Sequence, residues 1–215
     1  MRFKPWMPHN AVFAILIALL VLPMAARAEG PVIVAFGDSL MAGYQLPEAD
    51  GFPAQLQSAL RANGRDATVI NAGVSGDTTG AGLERLDWSV PDGTALVILE
   101  LGANDMLRGL EPALAETNLR AMLARLKARN IPVLLAGMRA NPGLGAPYQA
   151  AFDAIFPRLA AEFATGFYPF FLEGVAGQPD LLLADVMHPN AEGVRRIVGG
   201  ILPHVETALS AKSGG

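Results

Sequence analysis

The sequence predicts an α/β protein in which a parallel sheet is covered by helices on both faces. Two observations carry this. Short β-branched apolar runs alternate with longer amphipathic segments, and no repeat, low-complexity tract or linker interrupts the alternation. A length of 215 residues suits one domain with a sizeable core.

The first 28 residues stand apart. Arg2 and Lys4 precede an apolar stretch over 11–22, Pro23 ends it, and Ala26-Arg27-Ala28 has the small-x-small form of a cleavage site. This pattern predicts a removable export signal, with the domain over 29–215 placed in the periplasm or secreted. The rival is a retained anchor, but the stretch falls short of the roughly 20 residues that span a bilayer. Cleavage leaves no stable membrane anchor. It also removes three bases and no acid, taking the net charge from −4 to −7. A surface of that sign does not attract nucleic acid or anionic lipid non-specifically. With 0 cysteines, disulfides, thiolate metal sites and a lipid-modified Cys are excluded.

Beyond the signal, strands are expected over 32–36, 67–71, 95–101 and 132–137, with a weaker fifth over 167–171. Helices are expected over 52–63, 79–88, 112–130, 148–163 and 190–209. In the third, Leu114, Leu119, Met122, Leu123 and Leu126 share one face while Arg120, Lys127 and Arg129 reach water. The turn-rich stretch 141–147 reads as a loop after the fourth strand, either a plain connection or a mobile flap over a site.

Open parallel sheets bind ligands beyond the carboxyl ends of their strands, where strand order reverses. Three polar sequences fall there: Gly37-Asp38-Ser39, Asn71-Ala72-Gly73 and Gly102-Ala103-Asn104-Asp105. In the order 2-1-3-4-5 the first three strands are neighbours and these loops converge. Ser39 is then a candidate nucleophile, although alone it is better explained as an ordinary turn or helix N-cap serine. Asp38 reads as a turn or capping residue. His188 is the candidate base. His9 leaves with the signal, and His204 falls in the last helix, where a surface or packing role explains it. Asp185, three residues before His188, can reach Nδ1 and leave Nε2 free for Ser39, while a purely structural Asp–His pair is the alternative. One histidine and one carboxylate fall short of a zinc site, so no metal is expected. Donors for an oxyanion are the Ser39 N–H, the Gly73 N–H and the Asn104 amide. Singly, Gly73 is explained as a turn glycine and Asn104 as a cap; their joint placement favours chemistry.

These blocks resemble the SGNH hydrolase superfamily, also called the GDSL family. The matching residues are Gly37-Asp38-Ser39-Leu40, Gly73, Gly102-Ala103-Asn104-Asp105 and Asp185-Val186-Met187-His188-Pro189. Leu107-Arg108-Gly109-Leu110, Ile155-Phe156-Pro157 and Pro169-Phe170-Phe171-Leu172 further resemble its bacterial periplasmic esterase, thioesterase and lysophospholipase (arylesterase) group. The resemblance implies a three-layer α/β/α sandwich with a five-stranded parallel sheet of flavodoxin-like order 2-1-3-4-5. It implies a Ser39, Asp185, His188 triad, an oxyanion hole from Ser39, Gly73 and Asn104, and hydrolysis of acyl esters without a cofactor. Aryl esters, lysophospholipids and thioesters are among the substrates it implies. The segment 138–145 departs from the pattern through its extra glycine and proline, which leaves acyl-chain length open.

An apolar substrate wall is expected from Leu107, Leu110, Leu144, Tyr148 and Phe152. Tyr148 and Phe152 also share a helical face with Ile155, Phe156 and Leu159, which is a packing explanation. Two rivals stand beside an esterase acting on small acyl esters: a carbohydrate-ester deacetylase using the same triad, and a non-catalytic periplasmic lipid-binding protein. A dinucleotide-binding protein is disfavoured because no Gly-x-Gly-x-x-Gly follows the first strand.

Overall fold

Val32–Gly37 forms strand β1, and five of its six residues are buried because neighbours flank it on both edges and helices cover both faces. In the computed structural model, which describes residues 1–3 and 30–212, the remaining elements follow in alternation. They are α1 (Ser39–Ala42), α2 (Phe52–Ala62), β2 (Thr68–Gly73), α3 (Thr79–Ser89), β3 (Leu96–Glu100), α4 (Ala103–Leu107) and α5 (Pro112–Ala128). Then come β4 (Val133–Ala136), α6 (Ala146–Asp153), α7 (Ile155–Phe163), β5 (Gly166–Tyr168) and α8 (Ala191–Lys212). Most of the export signal read over 1–28 lies outside the described residues. Among the described residues no helix is long and apolar enough to cross a membrane.

The sheet has the expected order β2-β1-β3-β4-β5, and every pairing is parallel. Central β3 is buried at every position, whereas edge strand β2 is half-exposed along its length. Helices α2 and α8 pack together on one side, and α3, α5 and α7 make contiguous contacts on the other. Register sets the chemistry: Gly37 pairs with Gly73, and Phe36 pairs with both Ala72 and Leu99, so the carboxyl ends of β2, β1 and β3 finish level. The reversal of strand order between β1 and β3 opens the crevice there.

Three departures from the expected elements have physical causes. The helix expected over 148–163 is two helices, α6 and α7, meeting at Ala154. Pro157 lacks an N–H and its ring clashes with the carbonyl four residues back, so it is accommodated only in the first turn of a new helix. Leu114 is 49% exposed rather than on the buried face of α5, because at about 100° per residue it lies well off the stripe of Pro112, Ala115, Leu119, Met122 and Leu126 that meets the core. The stretch 141–147 forms a short 3-10 turn over Pro142–Leu144, and α6 begins at Ala146 with Pro147 in its first turn. Asn141 organises that turn by accepting the Gly143 N–H at 2.8 Å.

Candidate active site

Ser39 opens α1 immediately beyond β1. Its predecessor Asp38 caps this helix by accepting the Leu40 N–H at 3.0 Å, and Gly43, in a left-handed conformation, closes it. Ser39 therefore stands at the first helical position, where a backbone N–H has no intrahelical partner. Far along the chain, Asp185 organises a second turn. Its Oδ1 accepts the Met187 N–H at 2.9 Å and the His188 N–H at 3.0 Å, while Oδ2 lies 2.7 Å from His188 Nδ1. These bonds, the backbone one from His188 first, hold the Asp185 carboxyl down to about 2, so it stays ionised beside the imidazole.

The loop carrying this pair is anchored at its base. The Leu183 N–H donates to the His188 carbonyl at 2.7 Å, and Asn190 caps α8 by accepting the Glu192 and Gly193 N–H groups, each at 3.0 Å. Between acid and base, Val186 has a φ of 53° and is 70% exposed. A β-branched residue in the left-handed region carries roughly 1–3 kcal/mol of strain, retained here where the turn brings Asp185 and His188 together. The result crosses 149 residues of sequence: His188 Nε2 lies 2.9 Å from Ser39 Oγ. The Tyr44 ring, 4.4 Å from the imidazole between centroids, covers its side.

The three candidate oxyanion donors converge as the register requires. Gly73 ends β2 against α1 so closely that a Cβ there would overlap the backbone of Met41 and Ala42, which explains glycine at this position by approach alone. Asn104 reaches back from α4, its Nδ2 donating to Asp38 Oδ2 and to the Asp77 carbonyl, each at 3.0 Å. The Gly73 N–H meets Asn71 Oδ1 at 3.0 Å. Two of the three donors thus hold internal partners in the resting protein, and an incoming oxyanion must share or replace them.

Beneath these groups lie two buried carboxyls. Asp38 is fully buried, and burial pushes its carboxyl up to about 6 against the Leu40 N–H, the nearby His188 charge and the Asn104 amide, with Asp77 pushing the same way as burial. Glu100, at the end of β3, is also fully buried; burial first and the Asp38 charge second push it well above the usual carboxylate range. Its Oε2 accepts the Asp38 N–H at a long 3.5 Å, and its Oε1 has no hydrogen-bond partner among the described residues. A Cβ on Gly37 would fall 2.6 Å from Glu100 Oε2, so glycine before Asp38 leaves room for this acid.

A cleft of about 530 Å³ opens over Ser39 and His188, with Met106, Leu107, Met138, Pro142, Phe170 and Leu172 in its walls. Of the side chains expected there, Leu107 lines it, whereas Leu144, 40% exposed, does not. Leu110, Tyr148 and Phe152 lie elsewhere. The Tyr148 hydroxyl donates to the Leu110 carbonyl at 2.7 Å, and Phe152 is fully buried, with its ring and that of Phe156 pressed under Gly102. The helical face they share serves packing. His204 lies far from the cleft, edge-on to Tyr168 with ring centroids 5.2 Å apart.

Sequence reasoning missed several supporting residues. Asp38 does more than cap, since it also holds Asn104. Glu100 had a signal, being a lone acid at the end of the apolar run Leu96-Val97-Ile98-Leu99. Arg85 had one too, because it shares the core-facing stripe of α3 with Gly82 and Leu86. Met138 and Phe170 reach the cleft from loops after β4 and β5, which no periodicity marks.

A serine, an imidazole and a carboxylate in hydrogen-bonded series at the switch point of a parallel α/β sheet define a serine-hydrolase type of centre. The chain belongs to the GDSL-like Lipase/Acylhydrolase family, whose profile matches residues 35–196. It is 41% identical over 181 residues to an arylesterase of Vibrio mimicus, covering 82% of this chain and 88% of that one. It is 38% identical over 174 residues to thioesterase 1/protease 1/lysophospholipase L1 of Escherichia coli, covering 80% and 82%. The crystal structure of AlinE4, an SGNH-hydrolase family esterase, superposes with a TM-score of 0.71 at 53% identity, covering 84% of this chain and 97% of AlinE4. The protein is a carboxylic ester hydrolase of this family.

Proposed function

We propose that this protein is an exported serine esterase that works through Ser39, His188 and Asp185 and passes through an acyl-enzyme on Ser39. The observation that carries this is the unbroken series Ser39 Oγ, His188 Nε2, His188 Nδ1, Asp185 Oδ2, with gaps of 2.9 and 2.7 Å. His188 Nε2 takes the hydroxyl proton as Oγ attacks the ester carbonyl, and ionised Asp185 stabilises the imidazolium. The carbonyl oxygen, now an anion, is met by the N–H groups of Ser39 and Gly73 and the Asn104 amide. Collapse breaks the ester C–O bond, and the alcohol leaves with the proton from Nε2. Water, deprotonated by His188, then attacks the acyl carbon and releases the carboxylic acid and Ser39.

Met106, Leu107, Met138, Pro142, Phe170 and Leu172 make the acyl-side wall of this reading. An apolar wall of this kind favours acyl chains longer than acetyl. The leader pattern over 1–28 supports export, which places the enzyme among lipid and aryl esters rather than cytosolic acyl-CoA. Lysophospholipids fit that setting, and thioester cleavage follows from the same chemistry. The test is hydrolysis of p-nitrophenyl esters of graded acyl length by the purified protein and by Ser39→Ala. Turnover that peaks at medium chains and vanishes in the folded variant supports the reading. Equal turnover by Ser39→Ala removes it.

A further inference from the structure

Arg85 is a guanidinium on α3, 8% exposed, that the reaction steps above do not use. A buried arginine needs partners for its charge and its fork of donors, and those of Arg85 come from three separate segments. Nε donates to Asp77 Oδ2 at 2.6 Å, Nη1 to the Ala72 carbonyl at 2.9 Å, and Nη2 to the Gly37 carbonyl at 2.8 Å. Nη1 also approaches Ser89 Oγ at 3.4 Å, and the guanidinium carbon sits 4.0 Å above the centre of the Phe36 ring.

The choice of acceptors is informative. A peptide unit is a rigid plane, so fixing its oxygen fixes the direction of its N–H. The Ala72 carbonyl belongs to the same plane as the Gly73 N–H. The Gly37 carbonyl belongs to the plane that leads into Asp38 and Ser39, and that plane is gripped at its other end by Glu100 Oε2, 3.5 Å from the Asp38 nitrogen. Asp77, held through its side chain, offers its own carbonyl to Asn104 Nδ2 at 3.0 Å. One side chain therefore fixes a support of each of the three oxyanion donors. Donation from a cation to a carbonyl also polarises that amide, which strengthens its N–H as a donor.

We propose that Arg85 is the positioning residue of the oxyanion hole, holding the Ala72–Gly73 and Gly37–Asp38 peptide planes and Asp77 so that the Ser39, Gly73 and Asn104 donors converge on the reacting carbonyl oxygen. The proposal rests on the reading of Gly73 and Asn104 as oxyanion donors. A lysine does not replace Arg85 here, because a single ammonium lacks the planar fork that meets acceptors on three segments in fixed directions. Better-aimed donors act on the transition state more than on bound ester, so the signature is in kcat rather than KM.

The test measures kcat and KM on one p-nitrophenyl ester for wild type, Arg85→Lys, Asn104→Ala and the double variant, with circular dichroism and thermal midpoints alongside. Asn104→Ala should lose about 100-fold in kcat, and Arg85→Lys about 10- to 100-fold, with KM within about threefold. The double variant should lose more than either single one but less than the product of their losses, since Asn104→Ala removes only one of the three donors that Arg85 aligns. Wild-type kcat in Arg85→Lys, or losses that multiply independently in the double variant, overturns the positioning role. Should Arg85→Lys fail to fold, Asp77→Ala leaves Arg85 Nε without its acceptor while keeping the Asp77 carbonyl. A loss in its kcat alone then supports the proposal, and an unchanged kcat overturns it. Full activity of Asn104→Ala removes the oxyanion reading itself, and the role of Arg85 falls with it.

Discussion

Two clefts lie at opposite ends of one sheet, and the larger is the one without a reactive series. At the carboxyl ends of β1 and β3 the cleft of about 530 Å³ holds Ser39, His188 and Asn104. At the amino ends of β4 and β5 a groove of about 710 Å³ runs between α5, α7 and α8, lined by Ile131, Pro132, Phe163, Phe167 and His204. Each cleft has a histidine. His188 meets a carboxylate and a serine, whereas His204 meets the Tyr168 ring. Size and an imidazole are not what make a site. The carboxyl end differs because successive loops there bring a helix-opening N–H, a tightly packed glycine and two buried carboxyls to the neighbourhood of the Ser39–His188–Asp185 series.

The largest break in this comparison should come from the reactive series. Ser39→Ala is expected to lower kcat by about 10⁴-fold or more with circular dichroism unchanged. Asp185→Asn should follow at about 10³- to 10⁴-fold, since the amide no longer stabilises the imidazolium or enforces its tautomer. Measuring kcat/KM of both variants on one ester ranks them, and a mild Asp185→Asn effect would reduce that residue to a turn former.

Acidification sharpens the contrast further. His188 must be neutral to act as base, and Asp38 gains a proton as pH falls through about 6, weakening its hold on Asn104. The acid limb of log kcat/KM should therefore steepen beyond a slope of one below that pH; a slope of one down to pH 5 counts against a functional Asp38. The same carboxyl has a defined sign in stability. The folded protein keeps its proton up to about 6 and the unfolded chain releases it near 3.8, so the contribution of Asp38 to stability declines as pH rises through that window. Asp185 acts in the opposite sense. Its carboxyl, down at about 2, adds stability above the unfolded value of 3.8, and this is lost as pH falls through about 2.

Wall substitutions come next. Met138→Ala should change KM by a few-fold, more for long acyl chains than for short ones, because it removes apolar contact from the cleft, and, since Met138 is also packed into the core, it should lower stability by about 2–5 kcal/mol. At the other end His204→Ala should leave kcat and KM within about twofold and lower stability by about 0.5–1.5 kcal/mol through loss of the ring contact with Tyr168. A large loss of turnover in that variant would show that the two ends are coupled.

Much of the catalytic end was legible because its information is local. Asp185 and His188 stand three residues apart, Ser39 follows a strand, and the register needed to bring Gly73 and Asn104 beside it follows from strand order. What escaped is tertiary. Arg85 sits between Glu84 and Leu86, and its place on the stripe with Gly82 and Leu86 marks it as facing inward, but its partners, the Phe36 ring, the Ala72 and Gly37 carbonyls and the Asp77 carboxylate, are fixed only by tertiary structure. The cleft walls escaped for a related reason. Phe152 satisfies the helical period by facing the core, whereas Met138 and Phe170 reach the cleft from irregular loops. The break at Ala154 was readable from Pro157, yet the apolar period running through it masked the boundary.

In the proposed mechanism Ser39 carries the acyl group between the two halves of the reaction. Mixing the protein with excess p-nitrophenyl ester, quenching with acid within milliseconds to seconds and mapping peptides by mass spectrometry tests this directly. One acyl adduct per chain is expected on the peptide containing Ser39, and none in Ser39→Ala. An adduct on another residue, or ester turnover by Ser39→Ala at the wild-type rate, would contradict that mechanism.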